Sequence, residues 1–285
     1  MRVRFLSLVV VLIVLSALCL SAYAQDVIYG PSTQGRRSPA AMKAAAAAPK
    51  PTYDPKDFSG VWWGRGNNFL MKNPMPGLTA EGKKAFDLNK PSSGPRAVVP
   101  ALGNDPMGRC DPIGYPRNLW LNTRSFEFVQ TPAKIVQIFE WTHATREVIM
   151  NSKLPEDPDP RWYGYGAAHW DGNTLVVNSN GYDERTWLDS LGNPHSDQMT
   201  LEERWTHPDA ETLKVTMTLT DSRYYDKPWV GGEQTFKLQL PKNVTVLEEA
   251  YCVPSEEESF NVNTRNVAGT GKKDAPADIR NQLGK

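Results

Sequence analysis

Apolar and polar side chains alternate along much of the chain, and that alternation predicts strands. In Glu211–Thr220, Leu213, Val215, Met217 and Leu219 share one face, while Lys214, Thr216, Thr218 and Thr220 share the other. A segment with that period of two is a strand with one buried and one wet face. Lys134–Trp141, Arg146–Met150 and Thr174–Ser179 are rich in the β-branched and aromatic residues that suit a pleated surface. Asp171-Gly172 separates Gly164–Trp170 from Thr174–Ser179 and predicts a hairpin. Gly60–Arg65, Met199–His207, Gln234–Leu240 and Thr245–Tyr251 complete the predicted strands. Thr79–Asn89 is the one good helical window, with Thr79 placed to cap it.

Many short strands with turn residues between them suggest a closed barrel or a sandwich. Closure removes the exposed edges that a sandwich must protect. The reading is therefore a mostly β chain forming an antiparallel β-barrel with long loops and one short helix, the β-sandwich being the alternative. Gly60-Val61-Trp62 resembles the Gly-x-Trp that opens the first strand of lipocalin-like (calycin) barrels, where the Trp plugs one end. The resemblance implies a lipocalin-like barrel. A single barrel domain is expected over residues 54–257.

The flanks read differently. Arg2 and Arg4 precede an apolar run from Phe5 to Leu20, and Ala22-Tyr23-Ala24 follows. A basic start, an apolar stretch and a small-x-small site predict a signal peptide over residues 1–24 and a periplasmic or secreted location. No integral membrane segment is expected after processing. Residues 25–53, rich in Ala, Pro, Ser and Lys, read as a flexible leader, and 258–285 as a flexible tail.

Composition narrows the function. The 285 residues carry 32 basic and 32 acidic side chains, for a net charge of zero, which removes the electrostatic case for nucleic acid. Of the three cysteines, Cys19 leaves with the signal peptide. Cys110 and Cys252 then form an even pair in an exported chain and predict a disulfide between the first polar loop and the end of the last strand. His143, His169, His195 and His207 show no metal-ligand spacing, and no phosphate-binding loop is present, so neither metal nor cofactor is expected.

Three loops hold more polar and special residues than turns require: Asn104–Arg117, Pro155–Trp162 and Gly181–Ser196. They contain Cys110-Asp111-Pro112-Ile113-Gly114-Tyr115-Pro116-Arg117, Asp157-Pro158-Asp159-Pro160-Arg161-Trp162, and a block from Thr186-Trp187-Leu188-Asp189 to Gly192-Asn193-Pro194-His195-Ser196. Glu203-Arg204 and Tyr225-Asp226-Lys227-Pro228-Trp229 follow. Across residues 57–254 this set resembles an uncharacterised family of exported bacterial proteins, and the resemblance implies no reaction.

The third loop is the richest in chemistry. An Asp can hold an imidazole in one tautomer and raise its pKa, so His195 with Asp189 is the candidate catalytic pair. The two are expected within hydrogen-bonding reach near a barrel mouth, folded together by Gly192-Asn193-Pro194. Arg185 and Arg204 are candidate ligand-binding cations. Trp162, Tyr165, Trp187 and Trp205 either fill the barrel or line a pocket for an apolar or amphipathic molecule. The leading expectation is a binder of such a small molecule. An isomerase, cyclase or hydrolase using His195 is the second, and a glycan-binding or envelope structural module the third. The mature N-terminus is expected at Gln25, and N-terminal sequencing that finds Met1 retained removes the signal-peptide reading.

Overall fold

The computed structural model describes residues 43, 47, 53–64, 73–99, 102–120, 124–241, 247–248 and 250–255. The chain divides into two compact units, 1–51 and 52–285, and every feature below belongs to the second. The predicted signal peptide, most of the leader, the tail and part of the strand expected at Thr245–Tyr251 lie outside the described residues.

Among the described residues ten strands follow in chain order: β1 (Gly60–Trp63), β2 (Phe126–Gln130), β3 (Lys134–Phe139), β4 (Thr145–Met150), β5 (Tyr165–Asp171), β6 (Thr174–Asn180), β7 (Thr200–Asp209), β8 (Thr212–Thr220), β9 (Trp229–Val230) and β10 (Gln234–Pro241). Strands β1 to β8 lie side by side in sequence order. β10 pairs with both β1 and β8, closing a nine-stranded barrel. The two-residue β9 adds to the β8 edge through Leu219↔Trp229. The helix α1 (Ala80–Leu88) begins where predicted, and the Thr79 side chain accepts from the Gly82 amide at 3.0 Å.

Three expectations need correction. The barrel is mixed, because β4 and β5 run parallel, with Val148↔Gly166, Ile149↔Ala167 and Met150↔Ala168 as partners. A parallel neighbour needs a connection of about a dozen residues or more to return the chain to the same end. The unusual second loop, with its Asp157-Pro158-Asp159-Pro160 run, is part of that connection. The short strand β2, with Phe126 and Phe128 turned inward, escaped the sequence reading. Of the residues described in the stretch expected as the strand before Cys252, Ala250 makes an isolated bridge to Trp141, while Leu247 and Glu248 are not in a strand.

The barrel is filled. Inward positions of successive strands deliver Trp62, Phe126, Phe128, Ile135, Phe139, Trp205, Val215 and Phe236 to one core. The rings pack edge-on as their quadrupoles favour, with Phe126 and Phe236 centred 5.0 Å apart and Phe128 and Trp205 5.3 Å. Trp62 is buried, its indole N–H donates to the Phe58 carbonyl at 2.8 Å, and it meets the His207 ring at 5.5 Å.

A charged pair sits in this interior. Arg146 on β4 and Glu203 on β7 face inward, and Arg146 Nη2 lies 2.6 Å from Glu203 Oε1, both side chains buried. Tyr115 Oη donates to Glu203 Oε2 at 2.5 Å, and Trp205 Nε1 donates to it at 2.9 Å. Arg146 Nη2 also reaches Ser179 Oγ at 3.2 Å, and the guanidinium lies over the Tyr115 ring at 3.8 Å. Burial, aided by the Glu203 charge, raises the Tyr115 phenol well above its usual range, so it stays a donor. Cys110 and Cys252 are bonded, with Cα atoms 5.3 Å apart across 142 residues of sequence. The chain-entropy model for so long a loop gives about 5 kcal/mol.

The ion pair supplies a direct test. Arg146→Met and Glu203→Gln each leave a buried partner uncompensated and should destabilise by about 3–5 kcal/mol in urea unfolding. A double-mutant cycle should show coupling above about 1 kcal/mol. Additivity of the two changes would show that the charges do not depend on each other.

Candidate functional site

The site is built by docking α1 and the Gly181–Met199 loop on one turn. That turn, Asp221–Tyr225, follows β8. Thr79 donates its amide to the Tyr224 carbonyl at 3.0 Å and its hydroxyl to the Arg223 carbonyl at 2.6 Å. A Cβ at Gly82 would lie 2.2 Å from the Tyr224 oxygen, so a glycine there lets the helix backbone approach. On the other side, the Asp221 carboxylate accepts from the Ser196 amide at 2.7 Å and the Ser196 hydroxyl at 2.8 Å. Tyr225 Oη donates to the Pro194 carbonyl at 2.7 Å. Helix and loop, a hundred residues apart in sequence, thereby face one another.

Between them lies a cleft of about 230 Å³. Trp162, Trp187 and Tyr224 give it aromatic surface, and Thr186 and His195 lie in its wall. Charges ring it. Arg223 pairs with Glu81 at 2.6 Å and reaches Asp197 at 3.0 Å and Glu184 at 3.6 Å. Arg185 pairs with Asp183 and lies 4.2 Å over the Trp162 ring. Burial pushes the Asp183 carboxyl up, but hydrogen bonds from the Arg185 side chain and backbone outweigh it and hold the group below the usual carboxylate range. Burial and the nearby Asp197 charge push Glu184 up.

His195 is fully enclosed, and its partners differ from those expected. Its Nδ1 lies 3.1 Å from the Ser196 carbonyl and its Nε2 2.7 Å from Thr186 Oγ1. A carbonyl only accepts, so Nδ1 carries the proton. Burial lowers the imidazole pKa, against the raising influence of the Ser196 carbonyl and the charges of Asp221, Asp183 and Asp197. The ring is therefore neutral, and Nε2, at 2.7 Å, competes with the Asp183 carbonyl, at 3.1 Å, for the one Thr186 hydroxyl proton. Asp189 is engaged elsewhere. Its Oδ1 accepts from the Leu191 amide at 2.9 Å and the Asn193 amide at 3.3 Å, and its Oδ2 from Asn193 Nδ2 at 2.7 Å. The expected His195–Asp189 pair is thus replaced by a His195–Thr186 pair, because the turn itself claims the carboxylate.

The other predicted residues separate into four places. Arg185, Trp187 and Trp162 line the cleft with His195. Tyr165 lines a different groove, described below. Trp205 belongs to the barrel core. Arg204 points outward from β7, half-exposed, and pairs with Asp171 at 2.8 Å, so it takes no part in the cleft. Sequence reading passed over Thr186, Glu81, Lys84, Arg223 and Tyr224, which the cleft brings together. Thr186 stood in the most distinctive block, but nothing local tied it to His195. Among the described residues no group of three or more His, Cys, Asp or Glu side chains could hold a metal, and no helix is long and apolar enough to cross a membrane.

The neutral, buried His195 has a pH consequence. Its folded pKa lies below the ordinary value of 6.5, so the unfolded chain binds the proton first. The stability it contributes is fully present above about pH 6.5 and is lost as pH falls toward the folded pKa, at up to about 1.4 kcal/mol per pH unit. His195→Asn should flatten that acid limb in unfolding curves taken between pH 7.5 and 5, and an unchanged slope would place the titration elsewhere. No protein-family model, curated protein or solved structure matches the chain, so the site is known by its own geometry.

Proposed function

We propose that the protein is an exported binder of a small amphipathic molecule, held in the cleft between α1 and the Gly181–Met199 loop. One observation carries this: three aromatic side chains, the Thr186–His195 pair and the Arg185 guanidinium converge on a single concavity. The barrel interior supports it by being filled with its own rings, which moves ligand binding from the barrel centre to the mouth. The cleft is smaller than the roughly 300–1,000 Å³ of drug-sized sites, so it suits a ligand of about one ring. A ring would lie against Trp162 or Trp187, and a polar substituent would meet Arg185 and the Thr186 hydroxyl. The Cys110–Cys252 disulfide supports folding in an oxidising compartment, in keeping with a periplasmic or secreted protein.

A second reading, acid–base chemistry in the same cleft, is favoured by one contact. A neutral imidazole nitrogen 2.7 Å from a hydroxyl is a base hydrogen-bonded to a nucleophile. His195→Gln separates the readings. Loss of turnover with ligand binding retained supports the enzyme, whereas loss of stability with binding retained supports a scaffold role for the ring.

Native mass spectrometry of protein purified from its own host tests the binding reading. A small molecule should co-purify, and Trp162→Ala and Arg185→Ala should each weaken its retention by about tenfold or more, equivalent to about 1.4 kcal/mol. Retention unchanged in both variants would remove the cleft as the site.

A further inference from the structure

The parallel seam leaves an opening in the barrel wall. Strands β4 and β5 pair only from Val148 and Gly166 onward, so Thr145–Glu147 and Tyr163–Tyr165 part ahead of the ladder. A groove of about 630 Å³ occupies the gap beneath the connection between the two strands. Its lining mixes the two faces of β4. Thr145, Glu147 and Ile149 come from the outer face and Arg146 from the inner, so the groove reaches into the wall itself. Arg146 Nε and, on the neighbouring strand, Gln137 Nε2 are buried with no partner among the described residues, as is Asn118 Oδ1. Asn118 Nδ2 donates to Tyr163 Oη at 3.3 Å, which ties Asn118 to the groove.

The groove has a charge and a chemistry. Lys153 and Arg161 line it, both exposed, and neither is in an ion pair among the described residues. Glu147 also lines it, but its carboxylate is held by Lys134 at 2.6 Å. Glu156, Asp157 and Asp159 lie on the same connection yet stand outside the lining. The Arg161 guanidinium lies 4.0 Å over the Tyr165 ring, and Trp162 and Tyr163 extend the aromatic surface. Two unpaired cations beside three rings and the apolar surfaces of Leu154, Pro155 and Pro160 make a site for a molecule with a flat apolar body and a negative end.

We propose that this opening is a second ligand site, sharing Trp162 with the cleft but using different cations, which takes a small aromatic carboxylate. The ring lies along Tyr163 and Tyr165, and the carboxylate meets Arg161 and Lys153. No bond is made or broken.

Isothermal titration with 2-naphthoate, and with the uncharged 2-naphthamide as control, tests this on the whole protein. Naphthoate should bind saturably with one site, at least tenfold more tightly than naphthamide, and more weakly at higher salt as expected for exposed charges. Arg161→Ala/Lys153→Ala should reduce naphthoate affinity about tenfold or more and leave naphthamide unchanged. Both side chains are exposed, so thermal unfolding should be unaltered. Lys84→Ala, which removes one cation from the cleft, should have no effect. Equal affinity for the two probes, or insensitivity to the Arg161/Lys153 change, overturns the proposal. Loss of naphthoate binding in Lys84→Ala assigns the probe to the cleft and overturns it too, while leaving the cleft reading intact.

Discussion

A charged pair placed inside an aromatic core is the interaction on which this barrel most depends. Removing Arg146 and Glu203 from water is expensive, and their attraction offsets the loss only when the remaining polar atoms are also satisfied. Tyr115, Trp205 and Ser179 meet most of that need, and Arg146 Nε is the one atom of the pair left without a partner among the described residues. The pair and its partners come from different parts of the chain: β4, β6, β7 and the loop after Cys110. The pair thus fixes how far each element enters the barrel and which loop covers its end. Hydrophobic packing alone tolerates rearrangement among rings of similar size. A bidentate carboxylate with four donors around it does not.

The cleft depends on a second, smaller polar anchor. Asp221 binds the loop through Ser196, and the turn it begins presents the Tyr224 and Arg223 carbonyls to the start of α1. The helix contributes little core of its own, with Gly82 its one buried residue, so its position comes from this backbone contact. The His195 ring is then enclosed from both sides, which explains why burial dominates its titration. A carboxylate in the right place lowers the freedom of a whole loop without touching the imidazole.

Much of the barrel could be read from alternation because each hairpin is local: the pattern along a strand and the turn after it suffice. The charged pair was legible in principle by the same rule. Arg146 falls on the face of Val148, and Glu203 on the face of Leu201 and Trp205. A charge on an apolar face of each of two strands signals an internal pair, even though the pairing itself is long-range. The parallel seam was not legible, since periodicity is blind to strand direction and only the length of the connection hints at it. The Asp189 assignment failed for a local reason: an Asp followed by turn residues is claimed by nearby amides before it can reach a ring six positions away. Asp221, the carboxylate that does organise the loop, lies 25 residues beyond Ser196, where sequence spacing carries no information.

The closure at β10 sets the order in which the molecule can be completed. Strands β2 through β8 find their partners in register with neighbours already made, apart from the crossover between β4 and β5. β1, near the start of the domain, has β2 on one side but waits for Gln234–Pro241 on the other, and β8 needs the same segment. A growing or shortened chain that ends before Gln234 therefore carries two open ladders at once, each a template for pairing with another copy. The last strand is what turns a sticky sheet into a sealed ring, so truncation near the C-terminal end of the domain should harm solubility far more than its length suggests.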